Sequence, residues 1–161
     1  MYQIQLLYRE VKISAEEWYN NTKDIFFPKE ILYIATDERN LSFFDPLTNY
    51  YSIRFLDNFT KLFNPDNSIE PAYFGMIDTI VASYGRQFVG TSFSTFTNYI
   101  NRIRGYRGFS MNSSWYGTSS NKLNMHSWDD VTKTKIPPFT REFPDAWVRI
   151  DGDEFVTKTN Y

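Results

Sequence analysis

At 161 residues the chain has the length of one domain and is too short for two of ordinary size. Its hydrophobic share of 42% supplies a core, and its net charge of −2 creates no broad positive field of the kind that draws nucleic acid. Without cysteine there is no disulfide framework and no thiolate metal site, and one histidine, His126, is too few for a His-rich cluster.

His126, between Met125 and Ser127, reads as a surface or satisfied loop residue. The opening stretch MYQIQLLYRE lacks the basic leader of a signal peptide and falls far short of the ~20 apolar residues of a membrane helix. Neither a targeting signal nor a membrane segment is expected in the chain as given. Four N-x-[ST] sequons, at Asn20, Asn40, Asn58 and Asn112, suit a secretory lumen but also arise by chance in so Asn-, Ser- and Thr-rich a sequence.

In chain order, Ser14 and Glu17 form a capping box that opens a helix running to about residue 24, and Pro28 closes that segment. The continuous apolar run 31–36, bounded by Asp37 and Glu38, reads as a strand buried on both faces of a parallel sheet. A second strand is expected over 51–56. Tyr73, Met76, Ile77, Ile80, Val81 and Tyr84 fall at the spacing of an amphipathic helix. A strand over 86–90 follows, then Phe96, Tyr99, Ile100 and Ile103 at helical spacing up to Gly105.

Strands alternating with helices predict an α/β layer with a mostly parallel sheet, because a parallel pair needs a crossover. Beyond Gly108 the pattern dissolves into Ser, Asn, Gly and Pro, with 146–150 the one further candidate strand. The expectation is a single domain over 1–161, with a core at about 11–116 and an irregular C-terminal tail over about 108–161.

In an open α/β sheet, ligands bind beyond the carboxyl ends of the strands. The strand ending at Gly90 runs into Thr91-Ser92-Phe93-Ser94-Thr95, and Ser94 or Thr95 caps the next helix. Free amides, hydroxyls and the positive end of a helix dipole then meet at one point, which suits a phosphate. The plain reading of Ser94 is an N-cap that needs no ligand. Asp37 at a strand end is either an acceptor for a ribose or base, or a turn residue. Asp78 lies roughly 120° from the centre of its helix's apolar stripe, facing either solvent or a donor edge such as that of guanine. Arg102, Arg104 and Arg107 with Tyr106 invite a nucleic-acid reading, but the acidic balance opposes it, and arginines near a helix C-terminus also compensate its dipole.

Five blocks carry a resemblance: Ile34-Ala35-Thr36-Asp37-Glu38, Phe43-Phe44-Asp45-Pro46-Leu47, Phe55-Leu56-Asp57, the segment from Gly75 to Ser83, and Gly90-Thr91-Ser92-Phe93-Ser94-Thr95-Phe96. Together, over roughly 11–116, they resemble the C-terminal half of the GDP-fucose protein O-fucosyltransferase family, especially its plant and algal members. The resemblance implies a Rossmann-like domain, the nucleotide-holding half of a GT-B glycosyltransferase that is metal-independent and inverting. It implies GDP-fucose as donor substrate, no cofactor, a glycan or protein hydroxyl as acceptor, and a Golgi or ER lumenal setting for the full-length members. By position, Ser94, Thr95 and Phe96 match the segment that holds the diphosphate, Asp78 the acidic residue facing guanine, and Asp37 a Thr-Asp pair.

The family also places a His-x-Arg-Arg-Gly-Asp-type segment shortly before the helix matching 15–24, and its arginine assists leaving-group departure. Tyr2-Gln3-Ile4-Gln5-Leu6-Leu7 stands in that place here. The expectation is therefore a partial GT-B enzyme, inactive or nearly so by itself, with the acceptor-side domain unrepresented. The alternative is a non-catalytic nucleotide-binding pseudoenzyme or a protein-interaction module.

Overall fold

The computed structural model describes residues 13–91, 94–117 and 122–125. Helix α1, Ala15–Thr22, opens as the capping box requires: the Glu17 amide donates to Ser14 Oγ at 3.2 Å and the Ser14 amide to Glu17 Oε2 at 2.9 Å. It ends two residues earlier than expected, where the Ile25 amide turns back to the Thr22 carbonyl.

Strands β1, Ile31–Tyr33, and β2, Ser52–Arg54, pair in parallel with Leu32 opposite Ile53. Their crossover is a 3₁₀ helix, Leu41–Asn49, which contains Pro46. A proline has no amide to donate, which suits a short, tight connection better than an α-helix. The run 31–36 is not a strand buried on both faces: Leu32 is buried, Ile31 is exposed, and the ladder stops at Tyr33. Its later residues wall a cleft instead, which demands apolar side chains without a second sheet layer. Ala15, Leu32, Leu47 and Tyr51 form the buried core of this part, with Trp18, Tyr19 and Phe26 packed against it. Trp18 stacks on Phe26 at 5.5 Å between ring centroids, and Tyr51 meets both edge-on.

After a short helix α2, Thr60–Phe63, comes helix α3, Phe74–Ser83. The helix is where the periodicity predicts it, but its apolar stripe faces outward: Met76 is 64% and Tyr84 63% exposed, while Thr79 and Ser83 are buried. Strand β3, Phe88–Thr91, helix α4, Thr95–Tyr106, and strand β4, Ser114–Gly117, make a parallel strand–helix–strand unit, and β5, Lys122–Asn124, adds antiparallel to β4. Helix α4 likewise buries Thr97, Ile100, Asn101 and Arg104, leaving Tyr99 61% exposed.

The architecture is α/β, with two small sheets, β1–β2 and β3–β4–β5, that share no hydrogen-bonded ladder among the described residues. Strand β4 lies in the stretch read as irregular. Its signal was weak because its burial comes from tertiary partners: Ser114 accepts from Arg104, and a Cβ on Gly117 would stand 3.3 Å from Val89 and 3.4 Å from Trp18. The glycine lets α1 close on β4, and Lys122 pairs with Asp24 just beyond α1. His126 and the strand expected over 146–150 lie outside the described residues.

Candidate functional site

Between the β1 end, α3, β3 and the start of α4 lies a cleft of about 780 Å³, within the range of small-molecule sites. Asp37, Asp78, Ser94 and Phe96 all line it, and Thr95, although adjacent, does not. Four of the five residues singled out in the sequence thus meet at one cavity from three different elements.

The α4 end of the cleft is built by close backbone approach. A Cβ on Gly90 would stand 2.6 Å from Thr97 Oγ1, so only glycine lets the helix sit this near the strand. The gain is a latch, since the Thr91 amide donates to Thr97 Oγ1 at 3.1 Å. Ser94 caps the helix, its Oγ accepting from the Thr97 amide at 3.2 Å. Nothing among the described residues accepts from the Ser94 hydroxyl proton. The amides of Thr95 and Phe96 are first-turn donors with no intrahelical acceptor. Capping uses an oxygen lone pair, so the hydroxyl is still a donor.

At the acidic wall the Tyr33 hydroxyl donates to Asp78 Oδ1 at 2.5 Å. Burial raises the Asp78 carboxyl above its ordinary value, the Tyr33 hydrogen bond works the other way, and the nearby Asp57 charge adds to the rise. Burial foremost, and then Asp78, hold the Tyr33 phenol far above its own ordinary value, so it stays a donor. Asp37 is exposed at the rim. Among the described residues no group of three or more His, Asp or Glu side chains could hold a metal.

The arginine run does something the sequence did not suggest. Arg104 is fully buried, donating to Ser114 Oγ at 3.0 Å, Gly85 O at 2.5 Å, Ser113 Oγ at 2.7 Å, and the Ser83 and Ser113 carbonyls. Burial lowers its pKa to about 10, still well above neutral. It is a tertiary clamp, neither a dipole compensator nor a phosphate contact. Arg107 hydrogen-bonds the Ser83 hydroxyl and stacks over Tyr84 at 3.5 Å.

Sequence reading missed Tyr33, Gly90 and Thr97. Tyr33 stands at a two-residue period from Asp37, the one local sign that it shares that strand face. Its meeting with Asp78, 45 positions away, has no local signal.

The domain is α/β, and one cleft is lined both by the Tyr33–Asp78 pair and by the capped N-terminus of α4. The family model described as GDP-fucose protein O-fucosyltransferase matches residues 2–107, more than half of the chain, a span that includes all four of the singled-out residues that line the cleft. The chain belongs to that family, which points to a fucosyltransferase-type function. No curated protein and no solved structure matches it. No helix among the described residues is long and apolar enough to cross a membrane.

Proposed function

We propose that this chain is the donor-binding half of an O-fucosyltransferase, a Rossmann-like part of a GT-B enzyme of the secretory pathway that holds GDP-fucose in the cleft. The observation that carries the reading is the polarity of the cleft, with carboxylates on one wall and helix-terminal donors on the other. A guanine presents adjacent N–H donors and a diphosphate presents anionic oxygens, so one ligand is complementary to both walls. Asp78 accepts from the base, Asp37 from a ribose hydroxyl, and the Ser94 hydroxyl and the Phe96 amide donate to the diphosphate.

In an inverting transfer the acceptor oxygen attacks the anomeric carbon from the face opposite the diphosphate. The new C–O bond forms as the bond to phosphate breaks, and the acceptor proton passes to a base. Fixed hydroxyl and amide donors stabilise the charge that develops on the departing diphosphate without a metal ion. Residues 2–7 carry no arginine to add to that stabilisation, so this chain alone is expected to turn GDP-fucose over at background.

Titration calorimetry of the isolated chain with GDP, with and without EDTA, tests the reading. Weak binding that EDTA leaves unchanged is expected. No binding up to millimolar GDP, or binding that requires Mg²⁺, overturns it. The exposed apolar stripe on α3 favours a second reading, a protein-interaction module of the same fold, for which GDP would have no measurable affinity.

A further inference from the structure

Tyr33 and Asp78 come from different elements, β1 and α3, and both line the cleft. The 2.5 Å bond engages one lone pair of Asp78 Oδ1, and Oδ2 accepts from nothing among the described residues. An aspartate on a helix has two side-chain torsions, and a carboxylate anchored at one oxygen by a donor from another element loses the freedom to spin. The anchored group then offers two acceptor oxygens side by side at a fixed angle. That pair is complementary to a ligand edge with two adjacent N–H donors. Guanine has such an edge in its N1–H and 2-amino groups, hypoxanthine has only the N1–H, and adenine puts an acceptor at N1.

We infer that Tyr33 is a base-selecting positioning residue: through its hydroxyl it orients the Asp78 carboxylate so that the cleft accepts a guanine edge and discriminates against bases with one donor or none. The inference rests on the reading of the cleft as a GDP site and adds to it the residue that sets the selectivity. Tyr33 does not contact the reacting atoms. Its ring is half-buried, so replacement by phenylalanine removes one oxygen and keeps the packing.

The test compares GDP, inosine diphosphate and inorganic pyrophosphate on the parent chain and on Tyr33→Phe, by calorimetry, with thermal melting as a control for folding. The parent is expected to prefer GDP over inosine diphosphate by about tenfold or more, the scale of a site built to hydrogen-bond a group that the analogue lacks. Tyr33→Phe should lose most of that preference while keeping its pyrophosphate affinity. A merely structural role would weaken all three ligands together, and that result overturns the inference, as does an unchanged GDP-to-inosine ratio. A parent that binds no GDP overturns the underlying nucleotide reading and this inference with it, whereas a parent that binds GDP with an insensitive Tyr33→Phe overturns this inference alone.

Asp78→Asn gives an independent measurement should Tyr33→Phe not fold. If Tyr33 orients the group, its hydroxyl holds the amide oxygen and the amide nitrogen is turned to the ligand, so xanthosine diphosphate, with a carbonyl where guanine has its amine, should bind better than GDP. Retained preference for GDP means that the side chain at position 78 does not meet the two-donor edge of the base, and overturns the inference.

Discussion

The two parts of this molecule are held together by opposite chemistry. Around β1 and β2, Ala15, Leu32, Leu47 and Tyr51 pack with aromatic rings, in contacts that need little directional precision. Around β3 and β4, helices α3 and α4 turn hydroxyls, Asn101 and Arg104 inward together with Ile100, and leave Tyr73, Met76, Ile80, Tyr84, Tyr99 and Tyr106 exposed on or beside them. A polar seam of this kind draws its stability from the hydrogen bonds of its buried groups, and Asn101, whose amide atoms have no partner among the described residues, is the costly exception. The first part tolerates change in proportion to lost volume, while the second depends on single residues. The candidate cleft lies between them, with an acidic wall from β1 and α3 and a donor wall from α4.

The largest effect expected follows from removing the clamp. Arg104→Met leaves the Gly85 carbonyl and the Ser113 and Ser114 hydroxyls without their donor, at a cost of about 3–5 kcal/mol in denaturant unfolding. Arg104→Lys should rescue only a small part, because an ammonium cannot reproduce the guanidinium fork. Leu47→Ala in the aromatic part is the matched control, expected at about 2–5 kcal/mol from lost burial and a cavity. If Arg104→Met costs less than about 1 kcal/mol, the seam is not what holds the second part together and the contrast fails.

A smaller effect probes the donor wall. Ser94→Ala should lower stability by about 0.5–2 kcal/mol through the lost cap, and Ser94→Gly by only a few tenths. If the free hydroxyl proton also donates to the diphosphate, Ser94→Gly should weaken GDP binding by about 1–3 kcal/mol, with guanosine binding to variant and parent alike. A Ser94→Gly chain with parental GDP affinity reduces this residue to a cap.

The smallest effect concerns the link from Glu30 to Arg86, which bridges the start of β1 to the approach to β3 at 2.8 Å. The hydrogen bond from Arg86 is the main reason that the Glu30 carboxyl sits below its ordinary value of 4.5. A carboxyl depressed in the folded state contributes stability that is full above 4.5 and is lost as pH falls through the lowered value. Glu30→Gln should therefore flatten the acid limb of a stability–pH curve and leave the neutral plateau nearly unchanged, as befits a partly exposed pair. An acid limb of parental slope in Glu30→Gln assigns that limb to other carboxylates, with Asp24 at its Lys122 partner the next to test.

Local rules made several features legible. The capping box at Ser14, the helix over α3, the order of strand and helix around Gly90 and the cap at Ser94 all follow from interactions within about four residues of each other. The same rules did not say which faces are buried. Periodicity reports where apolar residues lie on a helix but not whether another element will cover them. For α3 and α4 the inward ridge was instead chosen by what Arg104, Arg107 and Thr97 bind.

By itself, then, the sequence determined the order of the main helices and strands up to about residue 106 and the family, since each is written in neighbouring residues or in blocks of fixed order. Tertiary structure alone decided that Arg104 is a clamp, that 114–117 is a strand, that Tyr33 meets Asp78, and that Asp37, Asp78, Ser94 and Phe96 share one cleft without Thr95. The physical reason is that hydrogen bonding and burial across tens of residues depend on which chain segments the fold brings together, and a polar side chain reads the same in sequence whether it ends in water or in a buried seam.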